Sequence, residues 1–270
     1  MKFSESHPAV SQSLPLEKVQ AVLFDLDGTL LGVDMQQFIP AYLDGLAVRL
    51  ADLAHRRQVA RVMREAVIDI LTRVDGRPTL EERMLTYLED HLEIPAERYQ
   101  AALDAFCQEN LHELQSLIQG HPLATALLTA SQDRGWQIVL ATNPIFPRRV
   151  IDARIAWAGL DASQFTFVTD YETSRHCKPH REYFYEVLDR LGLPAETCLM
   201  VGNDTQHDMA AGQAGLLTCL LTPWRIDHRE SCFQADWEGT HEELLPLLRQ
   251  SASSLLGKPA SVRTQFLTAD

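Results

Sequence analysis

The sequence predicts an α/β fold in which a doubly wound parallel sheet carries an inserted α-helical domain. Short apolar runs, typical of strands buried on both faces, recur along the chain, and each stops at polar residues. Segments with helical spacing separate these runs, as expected when helices cover both faces of a parallel sheet. One long stretch departs from the alternation and shows helical patterns only.

Five apolar runs are the candidate strands. The first, residues 21–24, stops at residues 25–29, Asp-Leu-Asp-Gly-Thr. The others are residues 137–141, 164–168, 197–201 and 216–221, and helices are expected over 123–134, 181–191 and 240–256. Because ligands of such sheets bind beyond the carboxyl ends of the strands, the polar residues that follow these runs mark the expected site.

Residues 33–120 are predicted to form a bundle of about four helices, since almost 90 structureless residues are implausible inside a compact domain. Its apolar residues recur at spacings of three and four over 35–53, 57–73, 80–92 and 96–119. The predicted organisation is therefore a loosely attached arm (1–18), an α/β core (19–32 and 121–257), the helical insertion (33–120) and a C-terminal tail (258–270).

Charge and composition restrict the partners. Lys and Arg total 24 against 37 Asp and Glu, which gives a formal net charge of −13 and argues against nucleic-acid or anionic-membrane binding. No apolar run approaches the roughly 20 residues of a membrane span. Five scattered cysteines and a start without a signal-peptide pattern favour a cytoplasmic protein with reduced thiols. We expect a monomer or homodimer that acts on a small molecule.

Asp25 and Asp27 lie one residue apart at the end of the first strand. Carboxylates this close repel, and burial is costly unless a cation or a proton compensates them. A simple aspartate turn would also explain the pair. The functional interpretation is a divalent-metal site with a nucleophile and a proton donor. Gly28 is compatible with the turn and with the metal site, because glycine lets the backbone approach a ligand closely.

Asp204 and Asp208 form a second acidic pair where the fourth strand gives way to a helix. Their spacing places both carboxylates on one face of the first helical turn, although Asp204 could equally be a helix N-cap. Mg²⁺ prefers a few carboxylates plus waters. One acid from the first strand and one from the fourth would complete such a site if these strands are neighbours.

Thr142 and Lys178 are the residue types that an anionic substrate needs. A hydroxyl at a strand end can hold phosphate oxygens, and a lysine supplies a compact positive charge. Taken singly, such a threonine is more often a turn residue and such a lysine a solvated surface charge. Pro179 restricts the backbone directly after the lysine.

These residues together resemble the haloacid dehalogenase-like (HAD) hydrolase superfamily. Residues 21–29 match its first motif, hhhhD-x-D-G-T, and Thr142 and Lys178 match its second and third. The fourth, an acidic G-D-x-x-x-D type, corresponds to residues 202–208. The resemblance covers roughly residues 19–225 and implies a Rossmann-like core with a C1-type cap, here the helical insertion.

The resemblance also implies roles. Asp25 would attack phosphorus and form an aspartyl-phosphate, and Asp27 would protonate the leaving alcohol and then activate water. Thr142 and Lys178 would hold the phosphoryl oxygens. The implied catalytic residues are Asp25, Asp27, Thr142 and Lys178; the substrate-binding positions are Leu26, Gly28, Thr29, Thr142, Asn143 and Lys178; and the Mg²⁺ positions are Asp25, Asp27 (through its carbonyl), Asp204 and Asp208.

The fourth motif departs from the family pattern because Asn203 separates Gly202 from Asp204. This leaves open which of Asn203, Asp204 and Asp208 would contact the metal, with Asp208 expected to orient the metal or its waters. The sequence also leaves undecided which residues of the insertion contact the substrate. The candidates are Arg73, Arg77, Asp34, Gln36 and Gln37.

The expected function is a Mg²⁺-dependent phosphomonoester hydrolase acting on a small phosphorylated metabolite. Dehalogenases of the family lack the second acid, so Asp27 argues for phosphoryl transfer. Phosphonate hydrolases use a cap lysine, and residues 33–120 contain none. A phosphomutase of the same superfamily and a catalytically silent HAD-fold binding protein remain the alternatives.

Overall fold

The computed structural model describes residues 14–76, 78–229 and 231–250. Its strands are β1 (Ala21–Phe24), β2 (Leu31–Val33), β3 (Ile118–Gly120), β4 (Gln137–Leu140), β5 (Phe167–Val168), β6 (Cys198–Gly202), β7 (Leu217–Leu221) and β8 (Trp237–Gly239). Its α-helices are α1 (Met35–Arg49), α2 (Arg56–Thr72), α3 (Leu80–Leu92), α4 (Ala96–Glu109), α5 (Ala124–Asp133), α6 (Arg148–Trp157), α7 (Arg181–Leu191) and α8 (His241–Arg249).

Six strands form one parallel sheet in the order β5-β4-β1-β6-β7-β8, which confirms the predicted α/β fold. All four residues of β1 are buried, as its continuous apolar run predicts. β1 lies between β4 and β6, and Phe24 is in register with Leu140 and Val201. The polar loops that follow these three strands therefore meet at one edge of the sheet.

Helices α1 to α4 lie between β2 and β3, which pair antiparallel to each other. Asp34 caps α1 by accepting from the Gln36 N–H, and Thr79 and Glu82 form a capping box at α3. The insertion packs on the core through aromatic edges: Phe146, after β4, contacts Tyr42 of α1 at a ring-centroid distance of 5.2 Å.

Several elements differ from the sequence predictions. The helix expected over 96–119 ends at Glu109, because residues 111–117 form a 3₁₀ turn and Ile118–Gly120 pairs with β2. The strand expected over 164–168 is only Phe167–Val168, since a 3₁₀ turn occupies residues 162–164.

The predicted loosely attached arm is partly wrong. Leu14 and Leu16 are buried, and a 3₁₀ turn covers Leu16–Lys18, so these residues pack on the core. The rest of that arm (1–13) and the predicted tail lie outside the described residues. Within the described ranges, no helix combines the length and apolarity that crossing a membrane requires.

Candidate active site

One ammonium group joins two carboxylates at the edge of the sheet. Lys178 Nζ lies 2.7 Å from Asp25 Oδ1 and 2.6 Å from Asp208 Oδ1, and all three side chains are buried. The lysine comes from the loop before α7, and the two aspartates follow β1 and β6. Two negative charges thus share one positive charge, and the cluster keeps an uncompensated negative charge.

The pKa values reflect this sharing. Burial raises the pKa of Asp25 to about 6, opposed by the charge of Lys178 and reinforced by that of Asp208. Burial alone would lower the pKa of Lys178, but the carboxylates of Asp208 and Asp25 outweigh it and raise that pKa above its usual value. The lysine therefore stays charged, and the site favours a further cation.

Backbone geometry brings the loops after β1 and β6 together. Asp208 Oδ2 accepts from the N–H groups of Asn203 and Asp204 at 3.0 Å each. A Cβ at Gly202 would lie 2.2 Å from Asp208 Oδ2, and one at Gly28, whose φ is +78°, would lie 2.1 Å from Asn203 Nδ2. Both positions therefore require glycine for this close approach.

The loop after β4 presents the lysine. Asn143 Oδ1 accepts from the Lys178 N–H at 3.0 Å. The carbonyl of the buried Thr142 accepts from the hydroxyls of Thr169 at 2.8 Å and Tyr183 at 3.0 Å. These bonds hold Thr142 and Lys178 on the side of β1 that faces β4.

The loop 25–29 turns tightly. The Leu26 carbonyl accepts from the N–H groups of Leu30 at 3.0 Å and Leu31 at 3.1 Å. The Thr29 carbonyl accepts from His241 Nε2 at 2.7 Å, whereas the buried Thr29 hydroxyl has no hydrogen-bond partner among the described residues. The Asp27 side chain reaches α6, where it meets Arg154.

Asp27 forms an ion pair with Arg154 Nη2, a contact that sequence reasoning missed. The Arg154 side chain on α6 is completely buried, and its Cζ lies 5.0 Å from the ring centre of Phe38 and 5.1 Å from that of Phe146. Burial lowers the Arg154 pKa to about 10, so the group stays protonated at neutral pH. In the described part of the chain, Nε and Nη1 have no hydrogen-bond partner.

A signal for Arg154 was present in the sequence. Val150, Ile151 and Ile155 form a buried stripe on α6, and Arg154 lies on the same face of the helix. An arginine inside such a stripe must be buried and therefore needs a special partner.

Asp204 faces a different set of groups. Its Oδ2 lies 3.1 Å from His207 Nδ1 and 2.9 Å from His228 Nε2, and its Oδ1 accepts from the N–H groups of Gln206 and His207. Burial would raise the pKa of Asp204, but hydrogen bonding and charge from His207 lower it well below its usual range. Its described hydrogen bonds do not include Asp25 or Lys178. The sequence interpretation also missed the two histidines.

Candidate substrate contacts in the insertion are only partly described. Arg73 is exposed and pairs with Asp69 at 3.2 Å, while Arg77 lies outside the described residues. Asp34 accepts from the side chain of Gln37 at 2.7 Å in addition to capping α1.

The residues at this edge fit a hard divalent cation. The oxygen donors are the carboxylates of Asp25 and Asp204 and the main-chain carbonyl of Asp27, and the nitrogens of His207 and His228 lie beside the Asp204 carboxylate. The uncompensated charge of the Asp25–Lys178–Asp208 cluster and the close approach of the loops at Gly28 and Asn203 support the same conclusion.

Comparison with known proteins gives consistent matches. A family model described as haloacid dehalogenase-like hydrolase matches residues 19–215. Pyrophosphatase PpaX of Bacillus cereus (strain AH820) is 26% identical over 238 residues, covering 86% of this chain and 97% of that protein.

Solved structures share the fold. A predicted phosphoglycolate phosphatase from Haemophilus somnus 129PT matches with a TM-score of 0.51 at 20% identity, over 85% of this chain and 98% of that chain. An L-2-haloacid dehalogenase matches with a TM-score of 0.52 at 16% identity, over 86% of this chain and 99% of that chain. With the family model covering most of the chain, the conclusion is that this protein belongs to the haloacid dehalogenase-like hydrolase family.

Proposed function

We propose that the protein is a Mg²⁺-dependent phosphatase that hydrolyses a small phosphorylated metabolite through an aspartyl-phosphate. The observation that carries the proposal is the buried Asp25–Lys178–Asp208 cluster, in which the Asp25 carboxylate lies beside a permanent positive charge. Phosphatase names among the relatives support the same activity. The acidic net charge supports a small-molecule partner rather than nucleic acid or membranes. The scattered cysteines support a cytoplasmic protein, and we propose that it is a monomer or homodimer.

Asp25 acts first. One of its carboxylate oxygens forms a bond to phosphorus while the bond from phosphorus to the ester oxygen breaks. Lys178 Nζ, with the Thr142 hydroxyl and the N–H groups after β4, holds the phosphoryl oxygens as charge develops on them. Asp208 holds Lys178 in place through its Oδ1 and the loop after β6 through its Oδ2.

Asp27 moves the protons. It gives a proton to the leaving oxygen, and the resulting carboxylate then takes a proton from the water that cleaves the aspartyl-phosphate. Arg154 pairs with the carboxylate form of Asp27, the form that takes the proton from water, and the contacts of the guanidinium with Phe38 and Phe146 hold it in place; protonation of Asp27 for the acid step weakens this ion pair.

Asp25, the Asp27 carbonyl and Asp204 would hold Mg²⁺, with Asp208 in support. Bound there, the cation would offset the charge of the carboxylates and of the phosphoryl group. His207 and His228 orient the Asp204 carboxylate by hydrogen bonding to Oδ2.

The helical insertion acts as the cap. It is joined to the core by the β2–β3 ribbon and covers Arg154 with Phe38. Closure of the insertion over the site would exclude water during the first step, and its reopening would admit water for the second.

The test is phosphate release from an aryl phosphate with and without Mg²⁺, in H₂¹⁸O. A hydrolase gives many turnovers and incorporates ¹⁸O into the released phosphate without any added sugar bisphosphate. The phosphomutase would instead require a sugar bisphosphate and give an isomerised product with almost no phosphate. A silent binding protein would give neither.

A further inference from the structure

A cavity of about 580 Å³ opens beside Asp27. Asp27, Gly28 and Asn203 form its floor, and its volume lies in the range of small-molecule sites. Its walls are the start of the insertion (32–36), the returning segment (116–119) and the loop 224–226. The cavity therefore adjoins the residue that the proposed mechanism assigns to the leaving oxygen.

The presence of Asp27 in the lining indicates which part of the substrate the cavity holds. Asp25 and Lys178, which would hold the phosphoryl group, do not line it, whereas Asp27 does. A proton donor must lie within hydrogen-bond reach of the oxygen it protonates. The part of the substrate that extends from that oxygen, the leaving group, is therefore the occupant.

The charges around the cavity are unfavourable to an anion. Among its described lining residues the only cation is Arg225, and this side chain is held by Asp227 at 2.7 Å and by Glu238. Asp34 is a second acidic residue in the lining, in addition to Asp27. The guanidinium of Arg154 does not line the cavity.

The remaining lining is apolar or neutral. The indole of Trp224 forms part of the wall, and the amides of Gln36 and Gln119 can hydrogen-bond a hydroxyl or carbonyl. The apolar members are Val33, Met35, Ile118, Trp224 and Ile226. An anion here would lose hydration, and the lining cation, Arg225, is already paired with Asp227 and Glu238.

We infer that the leaving group of the natural substrate is uncharged, with an apolar body and at least one hydroxyl or carbonyl group. This inference rests on the proposed phosphatase function. It excludes phosphomonoesters whose leaving group carries a carboxylate or a second phosphate, and it makes Gln36 and Asp34 determinants of specificity.

The test compares 2-hydroxyethyl phosphate with 2-phosphoglycolate, which differ in a hydroxymethyl group against a carboxylate. We expect kcat/KM for the neutral ester to be at least about tenfold higher, because like-charge contacts cost several kcal/mol. Gln36→Arg should lower this ratio at least about fivefold, since a cation at the wall offsets the carboxylates. Asp34→Asn, which keeps a good N-cap, should lower it in the same direction.

Gln58→Arg is the matched control, because Gln58 is exposed on α2 and does not line the cavity, so it should leave the ratio unchanged. If both esters are turned over and the anionic ester is equal or better, the inference is overturned while the phosphatase function stands. If Gln36→Arg changes the ratio no more than Gln58→Arg, the cavity does not hold the leaving group. If neither these esters nor an aryl phosphate is hydrolysed, the proposed function fails and the inference fails with it.

Discussion

Replacing Arg154 by methionine is expected to abolish most of the activity without a large loss of stability. The guanidinium is completely buried, pairs with Asp27 and contacts the rings of Phe38 and Phe146, which also contact each other. Methionine is unbranched and fills such a space with favourable sulfur–aromatic contacts. The variant therefore removes the charge and the hydrogen bonds while keeping most of the packing.

Two effects on the free energy of unfolding oppose each other. Breaking a buried ion pair costs about 3–5 kcal/mol when the remaining charge stays buried. Asp27 is 20% exposed and lines the cavity, so water can reach it and the cost falls to the lower end. Removing the two unpartnered donors, Nε and Nη1, returns about 1–3 kcal/mol each. We expect Arg154→Met to lie between about 1 kcal/mol less stable and about 3 kcal/mol more stable than the parent.

The effect on activity should be much larger. Proton transfer by a positioned side chain contributes about 10²–10⁴-fold, and a small misplacement removes much of it. We expect kcat of Arg154→Met to fall about 10²-fold or more with an alkyl phosphate, while KM changes little. The loss should be smaller with p-nitrophenyl phosphate, whose leaving group needs no proton. Arg154→Lys should recover part of the loss through its charge.

Arg83→Met is the control for stability. Arg83 on α3 is also buried and pairs with a partly exposed aspartate, Asp75, and its described hydrogen bonds go to Arg73 and Asp75 rather than to the carboxylates of the candidate site. Chemical denaturation and steady-state kinetics of both variants check the reasoning. A folded Arg154→Met enzyme with activity within about fivefold of the parent on the alkyl ester would show that Arg154 does not position Asp27.

The other predictions concern the nucleophile, the metal and pH. Asp25→Asn should keep the fold by circular dichroism but remove phosphate release, because an amide is a poor nucleophile; activity within tenfold of the parent would contradict the assignment. Excess chelator should abolish activity and Mg²⁺ should restore it, with a stabilisation of about 2.7 kcal/mol at a hundred times Kd, and full activity in chelator would contradict a metal site. Burial raises the pKa of Glu172 to about 7, so the native state binds the extra proton and stability falls as pH rises from 4.5 to 7. Glu172→Gln should therefore be more stable than the parent at pH 8, by about 1 kcal/mol because solvent screens this half-buried group, with a difference that shrinks toward pH 4.5; a pH-independent difference would refute this.

The strands that the sequence predicts well are those with continuous apolar runs. β1, β4, β6 and β7 are buried on both faces, so their sequences carry an unambiguous signal. The β2–β3 ribbon is three residues a side and only partly buried, which leaves almost no periodicity to detect. Helix α6 escaped prediction because its buried face is short and Arg154 interrupts it.

Part of the candidate site could likewise be predicted from the sequence, and part of it could not. Asp25, Lys178 and Asp208 follow recognisable motifs, and the sheet order explains why they lie together; their roles remain predictions. Arg154 and His228 belong to no such motif. Their proximity to Asp27 and Asp204 depends on how α6 and the loop after β7 pack, which local sequence patterns do not encode.

The central position of β1 has a consequence for synthesis on the ribosome. This strand emerges early, but its partners β4 and β6 follow more than a hundred residues later. The insertion, by contrast, is one continuous segment whose helices contact their sequence neighbours, and contacts of this kind form fast. We expect the insertion to be folded while the first strand is still unpaired. Until β6 leaves the exit tunnel, the nascent chain therefore exposes an apolar strand, and chaperone binding should concentrate there.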